Sequence, residues 1–180
     1  KGKAGLPVLC QRLRWGKAIL DAPPKGYSKI FAPHVMKKNV VKKVLVFGVF
    51  DLFHPGHHSF LRQARKYGEE LVVVVARGTS VLRIKGQKPH ESDSVRIQKI
   101  SKASEVKKAM LGDAKQGTYR ALFKFKPDVI CCGYDQYGLF ADLKKRMAEG
   151  KIPRAKLVRL RAYRPKHFKS SIERRNKISS

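Results

Sequence analysis

Two histidines three residues apart, His54 and His57, close the decamer GVFDLFHPGH that spans residues 48–57. Imidazoles in such a loop can each present an N–H to an anion, and Gly56 between them removes a side chain that would hold a phosphate away. Ahead of them stands Val44-Leu-Val-Phe-Gly-Val-Phe50, a run with the length and β-branched content of a buried strand. Behind them, Phe60, Leu61, Ala64 and Tyr67 are spaced for one face of a helix. Strand, tight loop and helix in this order turn backbone N–H groups and the positive end of a helix dipole toward negative charge. Residue types and order together read as a cradle for a polyphosphate.

The elements around this loop follow from periodicity. From residue 42 onward short apolar runs alternate with helical stretches, the pattern of a parallel sheet wrapped by helices. Strands are expected at 43–49, 70–76, 108–111, 128–133 and 156–160, and helices at 57–67, 93–103, 117–125, 137–148 and 171–178. Glycines and prolines, among them Gly68, Gly78, Pro89, Gly112, Pro127, Gly133 and Pro153, mark the joins. The expected fold is α/β: a Rossmann-like, doubly wound parallel sheet of about five strands with helices on both faces. In such sheets ligands bind beyond the carboxyl ends of the strands at the switch point, where the His54–His57 loop falls. Residues 77–90, long and rich in Lys and Gly, read as a loop acting as an active-site flap.

The chain has 180 residues, 42 % of them hydrophobic, enough for one domain with a core. Residues 36–180 are expected to form it. Residues 1–35, with Pro23, Pro24 and Pro33 and weak periodicity, are expected to be a poorly packed extension. The longest apolar run, Leu71–Ala76, is far too short to span a membrane. Three cysteines, Cys10, Cys131 and Cys132, show no metal-ligand spacing. Cys131 and Cys132, neighbours on a strand, should point to opposite faces. That usage suits the cytoplasm. The formal net charge is +28, and residues 143–180 hold 14 Lys/Arg against Glu149 and Glu173. Such a balance attracts polyanions, yet the charges are dispersed and no aromatic-interleaved RNA signature accompanies them, so specific nucleic-acid recognition is not the favoured reading.

The decamer resembles the signature of the HxGH nucleotidyltransferases, the superfamily of cytidylyltransferases, pantetheine-phosphate adenylyltransferase and the archaeal type of FAD synthase. The resemblance implies that His54 and His57 contact the phosphates of a nucleoside triphosphate, with Gly48, Val49, Phe50, Asp51 and Gly56 forming the nucleotide-binding loop. Val49 stands where many members have Thr. A second resemblance lies in Lys126-Pro-Asp-Val-Ile-Cys-Cys-Gly-Tyr-Asp-Gln136, similar to the KPDVI..GYDQ string of FAD synthases. It implies nucleotide contacts from Gly133, Asp135 and Gln136 and a substrate contact from Tyr134. Lys85 matches a phosphate-contacting lysine of the family, with Lys88 beside it, and Arg96 matches a substrate-contacting arginine. Members commonly carry an acidic residue two before that arginine; here it is Ser94. Lys169–Arg175 resembles a reduced ISSTxxR element and implies phosphate contacts from Ser170, Ser171 and Arg175.

The RTEGIST sequence of many CTP-using members is replaced here by Tyr163-Arg-Pro-Lys-His-Phe-Lys169, which favours the archaeal type of FAD synthase. The resemblance implies ATP and FMN as substrates, Mg²⁺ accompanying the nucleotide, and transfer of a nucleoside monophosphate with release of pyrophosphate. Tyr134, Tyr137 and Phe140 are candidates to line a slot for the flavin ring, or else pack the helix. Two other readings stay open: a CTP-dependent enzyme acting on glycerol 3-phosphate or a similar phosphoester, and a non-catalytic nucleotide- or RNA-binding protein. A homodimer is also left open.

Overall fold

The computed structural model describes residues 41–163. The expected extension at 1–35 and the expected helix at 171–178 lie outside them. Five strands, β1 (Lys43–Gly48), β2 (Glu70–Val75), β3 (Lys108–Leu111), β4 (Val129–Cys132) and β5 (Lys156–Arg159), form one sheet in the order β3-β2-β1-β4-β5. All four pairings are parallel, from Val44↔Leu71 between β1 and β2 to Cys132↔Arg159 between β4 and β5. The order reverses between β1 and β4, which places the switch point at the end of β1.

The strands are apolar on both sides because both sides are covered. Val44, Val46, Leu71, Val73, Val75, Val129 and Cys131 join one core. Their alternating neighbours Leu45, Val72, Val74, Ile130 and Cys132 join the other. Cys131 and Cys132 therefore do point to opposite faces. The helices divide in the same way. Leu61 and Ala64 of α1 (Pro55–Arg65) and Ile100 of α3 (Asp93–Ser101) pack on the first face. Ala121 and Leu122 of α4 (Arg120–Phe125) and Leu143 and Met147 of α5 (Tyr137–Ala148) pack on the second. Each fully buried Val or Leu contributes about 2 kcal/mol, so alternation on a two-sided sheet is the main source of stability. Among the described residues no helix is long and apolar enough to cross a membrane.

The segment expected to be a loop at 77–90 is the main correction to the fold. Gly78–Lys85 forms a helix, α2, which buries Val81 and ends on Gly86 in the left-handed conformation at φ 70°. Its apolar content, Val81, Leu82 and Ile84, outweighs the glycines that suggested a flap. Helix α4 starts at Arg120 rather than near 117, because Tyr119 is itself left-handed, at φ 47°. That turn sets the Tyr119 ring edge-on to Phe47 at 5.7 Å and lets its hydroxyl donate to Asp142 at 2.6 Å. Helix α1 starts earlier than expected, at Pro55, a residue preset for the first helical position.

Gly68, at the turn into β2, has a reason of its own: a Cβ there would lie 2.4 Å from the carbonyl oxygen of Lys42. Backbone cannot yield as a side chain can. Gly68→Ala is expected to lower stability by about 1–3 kcal/mol, read as a lower midpoint in urea unfolding.

Candidate active site

The chain leaves β1 at Gly48 and turns through two left-handed, non-glycine residues, Phe50 at φ 52° and Leu52 at φ 47°. Such angles are disfavoured for bulky side chains, and burial holds them: Phe50 is 2 % and Leu52 5 % exposed. The Phe50 ring folds back under the loop into the core, within 2.6 Å of where a Cβ on Gly48 would sit. Gly48 thus makes room for an aromatic ring, and Phe50 serves as the floor of the loop. The side chain of Phe50, expected as a residue of the nucleotide-binding loop, thus packs in the core.

His54 caps α1. Its Nδ1 accepts the N–H of Gly56 at 3.1 Å, so the proton of the neutral ring resides on Nε2. His57 lies against it, ring centroids 3.9 Å apart and planes 24° from parallel. Phe53 stacks on His57 from one side at 5.6 Å, and Phe50 meets it edge-on at 5.3 Å. Burial in this aromatic box pushes the His57 pKa down to about 3, with help from His54 and His58 and partial opposition from Asp51. Two stacked cations at this separation would repel strongly; neutral rings pack without that penalty. His57 Nδ1 is buried and makes no hydrogen bond among the described residues.

The first-turn amides of α1 are already engaged. The Gly56 N–H goes to the His54 ring, and the N–H groups of His57 and His58 go to the His54 carbonyl at 2.8 and 3.3 Å. Pro55 has none. The expectation that this helix tip aims its own N–H groups at an anion is therefore corrected: the imidazoles and the dipole are what remain to act.

Two expected ligand residues turn out to hold the loops instead. Asp51, 1 % exposed, accepts the backbone N–H groups of His90 and Glu91 at 2.9 and 3.0 Å. Arg96 is fully buried. Its guanidinium donates to the carbonyls of Val49 at 2.6 Å, Ala76 at 2.8 Å and Glu91 at 3.2 Å, and to Asp93 Oδ1 at 2.6 Å. The same Asp93 oxygen accepts the N–H of Gly78, where α2 begins. Arg96, expected to contact substrate, and Asp51, expected in the nucleotide-binding loop, thus join the loops after β1 and β2. Asp93, three residues before the arginine, supplies the carboxylate that Ser94 lacks.

Gln136 is a second such case. Its amide accepts from the Gly133 N–H at 2.7 Å and donates to the Phe47 carbonyl at 2.9 Å, joining the ends of β4 and β1. Gln136, expected to contact the nucleotide, thus forms this bridge. Gly133 leaves space for the neighbouring carboxylate: a Cβ there would lie 3.3 Å from Asp135 Oδ1. Asp135 is exposed just past β4, with Tyr134 half-buried before it. Lys85 closes α2, and Lys85 and Lys88 are both exposed. The structure thus gathers His54, His57, Val49 and Gly56 at the end of β1, with the Gly133–Asp135 turn tied beside them. Ser170, Ser171 and Arg175 lie outside the described residues. Among the described residues no group of three or more His, Cys, Asp or Glu is placed to hold a metal ion.

One further residue escaped the sequence reading. Arg159, the last residue of β5, lies against the rings of Tyr137 and Phe140, 4.4 and 4.7 Å from their centroids. The signal that could have found it is register: a cation closing an edge strand beside the GYDQ turn.

The chain, whose five-stranded parallel sheet carries a stacked histidine pair at its switch point, belongs to the cytidylyltransferase-like family, whose profile matches residues 45–180, and is a nucleotidyltransferase. Its curated relatives include an FAD synthase of Aciduliprofundum boonei, 40 % identical over 121 residues, which cover 67 % of this chain and 79 % of that protein. An FAD synthase of Methanococcoides burtonii is 42 % identical over 118 residues, 66 % of this chain and 80 % of that one. Among solved structures, the lipopolysaccharide core biosynthesis protein of Thermoplasma volcanium superposes with a TM-score of 0.62 at 36 % identity, over 68 % of this chain and 98 % of the other. Pantothenate synthetase of Thermus thermophilus, at 14 % identity and a TM-score of 0.54, shares the fold over 76 % of this chain and 64 % of its own.

Two outcomes follow from the buried groups. Arg96→Met would strip several backbone carbonyls of their donor and is expected to lower stability by about 3 kcal/mol, measured by chemical denaturation. For His57, the unfolded ring binds a proton below about pH 6.5 while the folded ring stays neutral to about pH 3. Stability should therefore be unaffected by this group above pH 6.5 and fall as pH drops from 6.5 toward 3. His57→Asn should flatten the fall across that window in denaturation midpoints taken at each pH.

Proposed function

We propose that this enzyme is an FAD synthase, joining the adenylyl group of ATP to FMN. The stacked pair His54–His57 at the end of β1 carries this reading, together with relatives named FAD synthase at about 40 % identity. An oxygen of the FMN phosphate attacks the α-phosphorus of ATP in line, and the bond to the bridging oxygen breaks as pyrophosphate leaves. No protein nucleophile is required. Positioning and charge stabilisation supply the rate.

Each residue then has a role drawn from its place. His54 donates Nε2–H, and the neutral His57 ring donates one N–H, to the phosphoryl oxygens where negative charge develops. A neutral imidazole suits this task, since it neither repels its partner nor needs to lose a proton first. Val49 and Gly56 bring backbone close to the phosphates. Lys85, aided by Lys88, meets the charge of the departing pyrophosphate. Ser170, Ser171 and Arg175 are assigned the β- and γ-phosphates. Asp135 accepts from ribose hydroxyls, and Tyr134 faces the acceptor. Mg²⁺ enters as part of the nucleotide, carried on its phosphate oxygens as that ion usually is.

Pyrophosphate release measured with ATP or CTP against FMN and glycerol 3-phosphate tests the assignment. Turnover with ATP and FMN, giving FAD, is the expected result; turnover only with CTP and glycerol 3-phosphate would replace it. Removing one transition-state donor typically costs on the order of 3 kcal/mol, so His57→Ala should lower kcat by about a hundredfold with unchanged circular dichroism. Parent-like turnover in that variant would remove the role given to the ring.

A further inference from the structure

The carboxyl ends of β4 and β5 carry a feature that binding of the phosphates does not explain. Tyr137, 62 % exposed, and Phe140 stand one turn apart at the start of α5, and the Arg159 guanidinium lies against both. Arg159 is exposed and makes no hydrogen bond or ion pair with any described residue. Its setting is electrostatically uncomfortable. The first turn of α5 holds no acidic residue and no side-chain cap, so within that turn nothing offsets a cation at the positive end of the helix dipole. A delocalised planar cation on aromatic faces is oriented by them, and its remaining N–H groups stay available to acceptors.

Position selects the ligand. Arg159 pairs in register with Cys132, next to the Gly133 turn that Gln136 ties to Phe47. From the end of β1, where the histidines lie, to the end of β5 are two inter-strand steps, roughly 10 Å. That span is comparable with a five-carbon chain drawn out between a ring nitrogen and the phosphorus of its terminal phosphate ester. From Phe140 an apolar groove of about 350 Å³ continues between α5 and β5, lined also by Lys144, Met147, Ala155 and Leu157.

We propose that Arg159, backed by Tyr137 and Phe140, is the platform for a planar heteroaromatic ring bearing carbonyl acceptors, the isoalloxazine of the acceptor. The guanidinium N–H groups face the pyrimidinedione carbonyls, Tyr137 offers stacking surface, and the dimethylbenzene edge lies toward the groove at Phe140. The assignment rests on the acceptor being FMN, and it makes Arg159 a determinant of acceptor choice, leaving the triphosphate to the histidine loop.

Flavin fluorescence quenching without ATP, and initial rates with each substrate varied in turn, test this on the full chain. Arg159→Ala should raise both Kd and KM for FMN about tenfold and leave KM for ATP within about twofold. Arg159→Lys should recover little, since an ammonium has no plane to stack. Arg154→Ala, which removes an exposed charge elsewhere, should bind FMN as the parent does. Unchanged FMN affinity in Arg159→Ala would overturn the proposal, as would an equal loss in Arg154→Ala or a selective rise in KM for ATP. A parent that forms FAD while Arg159→Ala is unaffected sinks the platform and keeps the synthase reading. A parent that binds FMN through Arg159 but forms no FAD does the reverse.

Discussion

A buried guanidinium holds this site together. Three carbonyls from three separate segments, those of Val49, Ala76 and Glu91, converge on the buried Arg96 guanidinium. An arginine buried without partners would be prohibitive; with three carbonyls and the Asp93 carboxylate as acceptors it becomes a rigid joint. Asp51 does the complementary work, accepting two N–H groups from the chain that follows α2. Cation gathers carbonyls and anion gathers amides, so both polar ends of the backbone are met. The loop that carries the histidines is tied to the rest of the fold through these two groups, Asp51 from within it and Arg96 from α3.

That rigidity allows the histidines to be what they are. Imidazoles whose centroids are 3.9 Å apart cannot both carry charge without strong repulsion, and the Phe50 and Phe53 rings around His57 exclude the water that would favour its charged form. A polyphosphate changes this balance, since its charge favours N–H donors and compensates the loss of water. In a protein with net charge +28, many cations attract nucleotides from a distance. In the proposed reaction, orientation at the phosphorus falls to the histidine pair and the end of a helix, so attraction and positioning are divided between different residues.

Much of the architecture was legible because it follows local periodicity. Apolar runs of Val, Leu and Ile of strand length, separated by helical spacing, predict a parallel sheet covered on both faces, and β3 at Lys108–Leu111 lies where expected. Boundaries moved where side chains reached across the fold. Tyr119 delays α4 to meet Phe47 and Asp142, and an imidazole cap starts α1 at Pro55. Helix α2 was missed because glycine and lysine masked a short helix that buries Val81 alone.

His54 and His57 as a pair, the cradle after the first strand and the GYDQ turn after the fourth were set by the sequence itself, since spacing along three or four residues already dictates proximity. What Arg96, Asp51, Gln136 and Arg159 do was decided only by the tertiary structure. Their partners are Val49 and Ala76, His90 and Glu91, Phe47, and Tyr137 and Phe140, most of them 20 or more positions away. A charged side chain reads the same on a chain whether it will face a nucleotide or close a loop. Which it does depends on whether folding leaves it in water or surrounds it with backbone groups that have no other partner.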